Sequence, residues 1–234
     1  MSMKSILPLS LLAALSSTAS YAETVTVTID NLTQGIHFTP LMVAAHASSA
    51  DLFEVGTSAS ASLQMMAEGG SIDGLNTDLT AVGAAIVANP AGGLLAPANS
   101  ATAVLSDVDL SATPSLSVVA MLLPTNDGFV GLDSIALTQG THTYYANGYD
   151  AGTEANDERL VPGAGAPGQA GIPADPGGMA GSGGTGVAAA TTSTVHIHPG
   201  ALGDTNAAGG ASDLDSRVHR WLNPVARITV EVSQ

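Results

Sequence analysis

The chain has 234 residues, with 5 Lys or Arg against 20 Asp or Glu, a formal charge of −15 and no cysteine. That balance excludes nucleic acid and anionic membrane surfaces as partners, because both need a basic patch to release counterions. The missing thiols exclude disulfides, thiolate zinc sites, iron–sulfur clusters and cysteine nucleophiles. Hydrophobic residues at 45% suffice for a core, and aromatics at 3% make it a core of Val, Leu, Ile, Ala and Met.

Residues 1–22 read as a secretory leader. Lys4 gives a positive start, Ile6 to Leu15 is apolar, and Ser20-Tyr21-Ala22 puts small residues at −3 and −1 of a cleavage after Ala22. An apolar run of about 10 residues is too short to span ~30 Å of hydrocarbon. The expectation is an exported protein, extracellular or periplasmic, with no membrane insertion. Its mature part, residues 23–234, keeps only four arginines as cations and is read as one domain.

Glu23 to Asp30 (E-T-V-T-V-T-I-D) alternates β-branched apolar residues with threonine, the pattern of a half-buried strand. Phe38 to Ala45 is a short apolar run, and Pro40 near its start predicts an edge strand or irregular extended chain. Leu63, Met66 and Ala67 share one helical face, so a short helix is expected from about Ser60 to Glu68, ended by Gly69-Gly70. Leu75 to Ala88 reads as a second short helix or a loop. Strands follow at 101–110, 116–123, 129–137 and 141–145. The second of these, L-S-V-V-A-M-L-L, is apolar enough to be buried on both faces. Pro162 to Gly186 is Gly-, Ala- and Pro-rich without periodicity, and predicts a loop that is mobile unless something else in the chain pins it. Thr194 to His198 is a short strand and Val225 to Val232 the closing one. Short strands joined by Gly/Pro-rich loops, with minor helix, make this an all-β chain of β-sandwich type. Its core is expected to hold Val25, Val27, Ile29, Val118, Ala120, Leu122, Ile228 and Val230.

Acidic residues gather where predicted strands end. Asn126-Asp127-Gly128 turns after one strand; Asp150 to Glu158 holds four acids and an Asn within nine residues after another. Carboxylates crowded in this way repel unless a cation sits among them, and calcium takes six to eight oxygens from such groups and from backbone carbonyls. A solvated acidic loop is the alternative reading.

These stretches resemble the spondin N-terminal domain family. T-V-T-V-T-I-D-N-L-T-Q-G-I-H-F-T-P is similar to its opening strand and turn, L-F-E-V-G-T to its next segment, and P-T-N-D-G-F-V-G-L-D-S-I to its Pro-x-x-Asp-x-Phe-Val-Gly block. G-Y-D-A-G-T-E resembles its Tyr-Asp-Ala-Gly-Thr-acid block, and N-P-V-A-R-I-T-V its closing strand. The resemblance implies a C2-like antiparallel β-sandwich with a Ca2+ ion at the loops of one end. Its ligand acids fall on Asp127, Asp150 and Glu154, the last a departure from the Asp of animal members. Animal members also carry disulfides and act in matrix attachment; this chain has no cysteine and none of their further modules. The function implied is a secreted, non-catalytic, calcium-binding adhesion module whose partner is an extracellular protein or glycan.

The histidines give a competing reading. His196 and His198 stand two apart on a predicted strand and so share a face. With His219 they would make a copper or zinc centre of an oxidoreductase or hydrolase; the alternative is ordinary hydrogen bonding to loop backbone. A surface protein assembled through calcium is the third reading. No Gly-x-Ser-x-Gly, HExxH or Walker loop is present. Arg217, Arg220 and Trp221 read as an Arg–Trp contact surface or, more plainly, as cations pairing with surplus carboxylates. Arg227, within a strand, is expected to form an ion pair.

Overall fold

The computed structural model describes residues 22–188 and 192–234. The leader read at residues 1–22 lies, apart from Ala22, outside them. In chain order the elements are β1 (Glu23–Asn31), β2 (His37–Phe38), β3 (Met42–His46), α1 (Ala61–Gly69), α2 (Asp73–Ala81), β4 (Ala85–Ala88), β5 (Ser100–Val108), β6 (Ser115–Leu123), β7 (Gly128–Ala136), β8 (Gly140–Asp150), β9 (His196–Ile197) and β10 (Ala226–Ser233). The fold is all-β and antiparallel, with two short helices.

Strand order runs β4-β3-β6-β7-β8-β10-β1-β5. The eleven-residue β8 is the corner of this path. Its first part, Gly140 to Ala146, pairs with β10, and its last part, Asn147 to Asp150, pairs with β7. One strand therefore serves both layers of the sandwich. On one side β5, β1 and β10 continue from it; on the other, β7, β6, β3 and β4. The first and last strands pair along their whole length, Thr24 with Ser233 through Asn31 with Ala226.

Alternation places the core. Val25, Val27 and Ile29 of β1 and Ile228, Val230 and Val232 of β10 point between the layers, while the intervening threonines face outward. They meet Leu116, Val118, Ala120 and Leu122 of β6. The opposite face of β6 carries Val119, Met121 and Leu123, which pack against Leu63 and Met66 of α1 and Leu75 and Leu79 of α2. Both faces of β6 are thus covered, as its unbroken apolar run requires. All eight expected core residues are buried.

The helix α1 starts where the side chain of Ser60 accepts the amide of Leu63, and ends at Gly70 in the left-handed region (φ 73°). Two expectations change. Phe38 to Ala45 is not an edge: β3 begins two residues after Pro40, is fully buried, and sits between β4 and β6. Proline removes only its own donor, so a strand that starts beyond it can be central. The segment to Ala88 contains both α2 and strand β4.

The Pro162–Gly186 loop is pinned through its described backbone rather than loose. Ile172 is fully buried and forms a small cluster with Ala201 and Leu214. The amide of Gly168 donates to Glu68, that of Gly171 to Glu154 and that of Gly184 to Asp213. Acids lying elsewhere in the chain supply the order that the segment's own composition lacks.

Candidate metal centre

The centre lies at one end of the sandwich, where β6 turns into β7 and where β8 ends. Gly128 and Asp150 are register partners, so Asp127 and Asp150 are adjacent by strand pairing. The turn between β6 and β7 is held by Thr125, whose hydroxyl donates to the Leu122 carbonyl and accepts the Gly128 amide. After β8 the chain doubles back at Gly152 (φ 72°), a conformation that glycine adopts without strain. A Cβ there would fall 2.6 Å from the Thr194 backbone.

That reversal delivers two amides to Asp127. Its Oδ2 accepts from Thr153 N at 2.7 Å and from Glu154 N at 3.0 Å. Its Oδ1 is buried without any hydrogen-bond partner. Burial, with the neighbouring Asp150 charge, pushes the Asp127 carboxyl up to about 6, against the lowering effect of those amides. Asp150 accepts the Gly152 amide at Oδ1 and the Asn156 side-chain amide at Oδ2.

Glu154 is the other acidic neighbour of Asp127. Its Oε2 accepts from Gly171 N at 2.9 Å, and its Oε1 is buried and unpartnered. Burial pushes it up to about 7; hydrogen bonds from Gly171 and Asn126 oppose the rise, and the charges of Glu68 and Asp127 add to it. The order of neighbours is therefore Asp150, Asp127, Glu154 and then the buried Glu68 of α1. Among the described residues no three His, Cys, Asp or Glu side chains are already drawn together as a metal cage. Each carboxylate uses one oxygen to organise backbone amides, and two of them leave the other oxygen bare. Asn126 ties the two loops together, donating to Asp157 at 3.1 Å and accepting the Glu158 amide at 3.3 Å.

The histidines sort by their hydrogen bonds. His198 Nδ1 accepts the Gly200 amide at 3.0 Å, and His219 Nδ1 accepts the Asp215 amide at 3.0 Å. An amide can only donate, so in both rings the proton sits on Nε2, which leaves no lone pair there for a metal. Burial pulls His198 down to about 4, against the pull of the Asp150 charge and with help from His196. It also lowers His219, against Asp175 and Asp215. His219 faces Asp175 at 3.7 Å, while His196 faces Asp150 at 3.6 Å, so the three do not share one centre. The strand expected at Thr194 to His198 is two residues long. Trp221 is nearly buried and packs against His198, with ring centroids 5.1 Å apart, rather than offering a stacking face to arginine. Arg217 pairs with Asp215 at 2.6 Å, and Arg227 forms the expected ion pair, with Asp30 at 2.9 Å.

The sandwich, its buried Asp127 turn and the Gly-Tyr-Asp-Ala-Gly-Thr loop agree with one family. Residues 28–159, more than half of the chain, match the family model Spondin_N. The chain belongs to the spondin N-terminal family. Spondin-type domains are typically extracellular, and theirs is not a known enzyme family. No curated protein matches the chain. The match contains Asp127, Asp150 and Glu154 and stops short of His196. No helix among the described residues is long and apolar enough to cross a membrane.

Two neighbours of the centre were not legible in the sequence. Glu68 approaches Glu154 from a helix whose capping signals say nothing of its far side. His196 comes from a segment nearly fifty residues beyond Asp150; the H-I-H alternation marked it without naming its partner.

Proposed function

We propose that this chain is a secreted, non-catalytic binding module whose contact loops are fixed by a calcium ion at Asp127, Asp150 and Glu154. The observation that carries the reading is the bare Oδ1 of Asp127, a fully buried carboxylate oxygen with no donor, next to a second carboxylate. An orphaned buried acceptor costs about 1–3 kcal/mol, more when charged, so its persistence calls for a counter-charge. Glu154 Oε1 supplies a second such oxygen. Both suit a hard cation, which takes carboxylate and carbonyl oxygens. Asn126, Asn156 and Asp157 carry further side-chain oxygens in the same two loops.

Calcium when bound supplies charge neutralisation and cross-linking of the two loops. The residues do the rest: Asp127 holds the 153–154 turn by its other oxygen, and Glu154 holds Gly171. Export fits the leader-like start, and the family's extracellular character supports it. The partner class proposed is an extracellular protein or glycan.

Melting curves with EDTA and with added calcium, on wild type and Asp150→Asn, test the reading. At a hundredfold excess over Kd, binding to the native state alone adds about 2.7 kcal/mol. Calcium should raise the wild-type Tm and leave Asp150→Asn much less affected. Superimposable curves in all four conditions would reduce these acids to loop organisers.

A further inference from the structure

We propose that a cleft between the chain leading into α1 and the helix α2 takes a lysine or arginine side chain of an extracellular protein partner. The inference rests on the reading of the chain as a binding module and not on its calcium ion.

The floor of the cleft follows from the sequence of α2. Leu75, Asp78, Leu79 and Val82 stand at i, i+3, i+4 and i+7, along one face of a helix. Leu75 and Leu79 are nearly buried and belong, with Leu52, to the core on the outer face of β6. Val82, at the end of the helix, is 54% exposed. These four apolar side chains line an open cleft of about 220 Å³. Pockets for drug-sized ligands begin at about 300 Å³, so this one suits a single long side chain better than a whole small molecule.

The rim sets the charge of the occupant. Asp51 and Asp78 line the same cleft, and both are exposed. A hydroxyl orients each of them: Ser134 donates to Asp51 Oδ1 at 3.0 Å, and Ser62 donates to Asp78 Oδ2 at 2.6 Å. Among the described residues, the other oxygen of each carboxylate takes no protein hydrogen bond. No arginine lines the cleft, and the sequence has no Lys or Arg from residue 5 to residue 158. The whole chain carries a formal charge of −15, a field that draws cations in. Lysine and arginine match both parts of the site, since they lay an apolar stem along apolar surface and keep a charged head at its wet edge. A neutral apolar occupant would gain nothing from the carboxylates. A second copy of this chain would bring another −15 against the first.

The test is an NMR titration of isotope-labelled protein, run in EDTA so that the calcium reading stands or falls separately. The probes are acetyl-Gly-Leu-Arg-Gly-amide and the same peptide with Gln in place of Arg. Wild type is compared with the double variant Asp51→Asn, Asp78→Asn. The arginine peptide should give saturable shifts at the amides of Leu52, Leu75, Asp78, Leu79 and Val82. The Gln peptide on wild type, and the arginine peptide on the double variant, should each bind about 5-fold more weakly, the upper end for one exposed ion pair. Added salt should bring the two peptides together, because it screens exposed charges. Equal binding of the two peptides to wild type overturns the inference, and needs no variant to fold. Undiminished binding to a folded double variant overturns it too, as do shifts that scatter over the acidic surface without saturating. A dimer in sedimentation that Val82→Asp abolishes would assign the cleft to a second copy and overturn it as well. Each of these results leaves the calcium reading standing, and a Tm that calcium fails to raise leaves this inference standing.

Discussion

The sandwich and the loop layer after Asp150 are ordered by opposite means. The sandwich is held by apolar alternation and continuous ladders: β1 lies between β10 and β5, and its inward side chains are fully buried. The loop layer has a small apolar cluster of Ile172, Ala201 and Leu214, and its order comes from carboxylates that accept backbone amides. Glu158 takes Leu202 N, Gly203 N and the Ser212 hydroxyl; Asp213 takes Leu160 N and Gly184 N; Asp175 takes Gly177 N and Ala180 N. A glycine-rich segment has many free amides and few side chains to bury. Acids give those amides partners, and a charged acceptor is stronger than a neutral one. Much of the chain's surplus negative charge is therefore structural rather than a solvated coat.

If the two regions are held differently, they should fail differently. Ile29→Ala removes a fully buried side chain from between the layers and should cost about 3 kcal/mol of global stability. Chemical denaturation should show a lower midpoint with an unchanged slope. Glu158→Ala should act locally. It strands two amides and a hydroxyl for about 2 kcal/mol, roughly a 30-fold increase in local opening. Hydrogen exchange should speed at Leu202 and Gly203 while the β1 and β10 amides keep their protection. Equal loss of protection in both regions would make them one cooperative unit and break the comparison.

Sequence legibility follows the same division. Alternation in β1 and β10 and the apolar run of β6 state their burial outright, so their limits are read to within one or two residues. β3 was obscured by Pro40, because its central place depends on β4 and β6 arriving on either side. What pins the Pro162–Gly186 loop is hidden for a related reason. Composition reports what a segment can bury, while its order depends on Glu68, Glu154 and Asp213, acids outside it or at its margin. At the centre, the acids were visible as a cluster after β8, and the family blocks placed them. Which oxygen is bare, and which histidine nitrogen carries a proton, depends on loop contacts that no spacing encodes.

Acidity sharpens the comparison at the centre. In EDTA, Asp127 and Glu154 have folded values raised above their unfolded ones, so between roughly pH 4.5 and 7 the native state holds more protons than the unfolded state. Stability from these two groups therefore falls as pH rises through that window and levels off above about 7. His198, lowered to about 4, acts in the other direction: its contribution is present above the unfolded value near 6.5 and is lost as pH falls toward 4. Between about pH 6.5 and 7.5 the lowered His198, His219 and His37 act against Glu154, so Glu154→Gln isolates its contribution: the wild-type Tm should fall relative to that of the variant as pH rises. Calcium should reverse the slope, because ionised carboxylates bind it and protons compete. A flat apo profile that Glu154→Gln leaves unchanged would show that its carboxylate is already compensated.

The smallest effect is expected where an arginine–carboxylate pair lies on the sandwich itself. Arg227 and Asp30 face each other across β10 and β1, with Arg227 Nε 2.9 Å from Asp30 Oδ2. Asp30 also accepts the Ser100 hydroxyl, the larger cause of its lowered carboxyl, so losing the arginine leaves it partnered. The Arg227 side chain is 51% exposed, so solvent and salt screen the attraction. Strand register is fixed by Ile228, Val230 and Val232, whose slip by one residue would turn an apolar face to water. Arg227→Ala should accordingly cost about 0.5 kcal/mol or less, and the difference should shrink further in 1 M NaCl, where the screening length is about 3 Å. Denaturation of both proteins at low and high salt measures this. A loss well above about 1 kcal/mol, insensitive to salt, would mean that the sandwich leans on its carboxylates as the loop layer does.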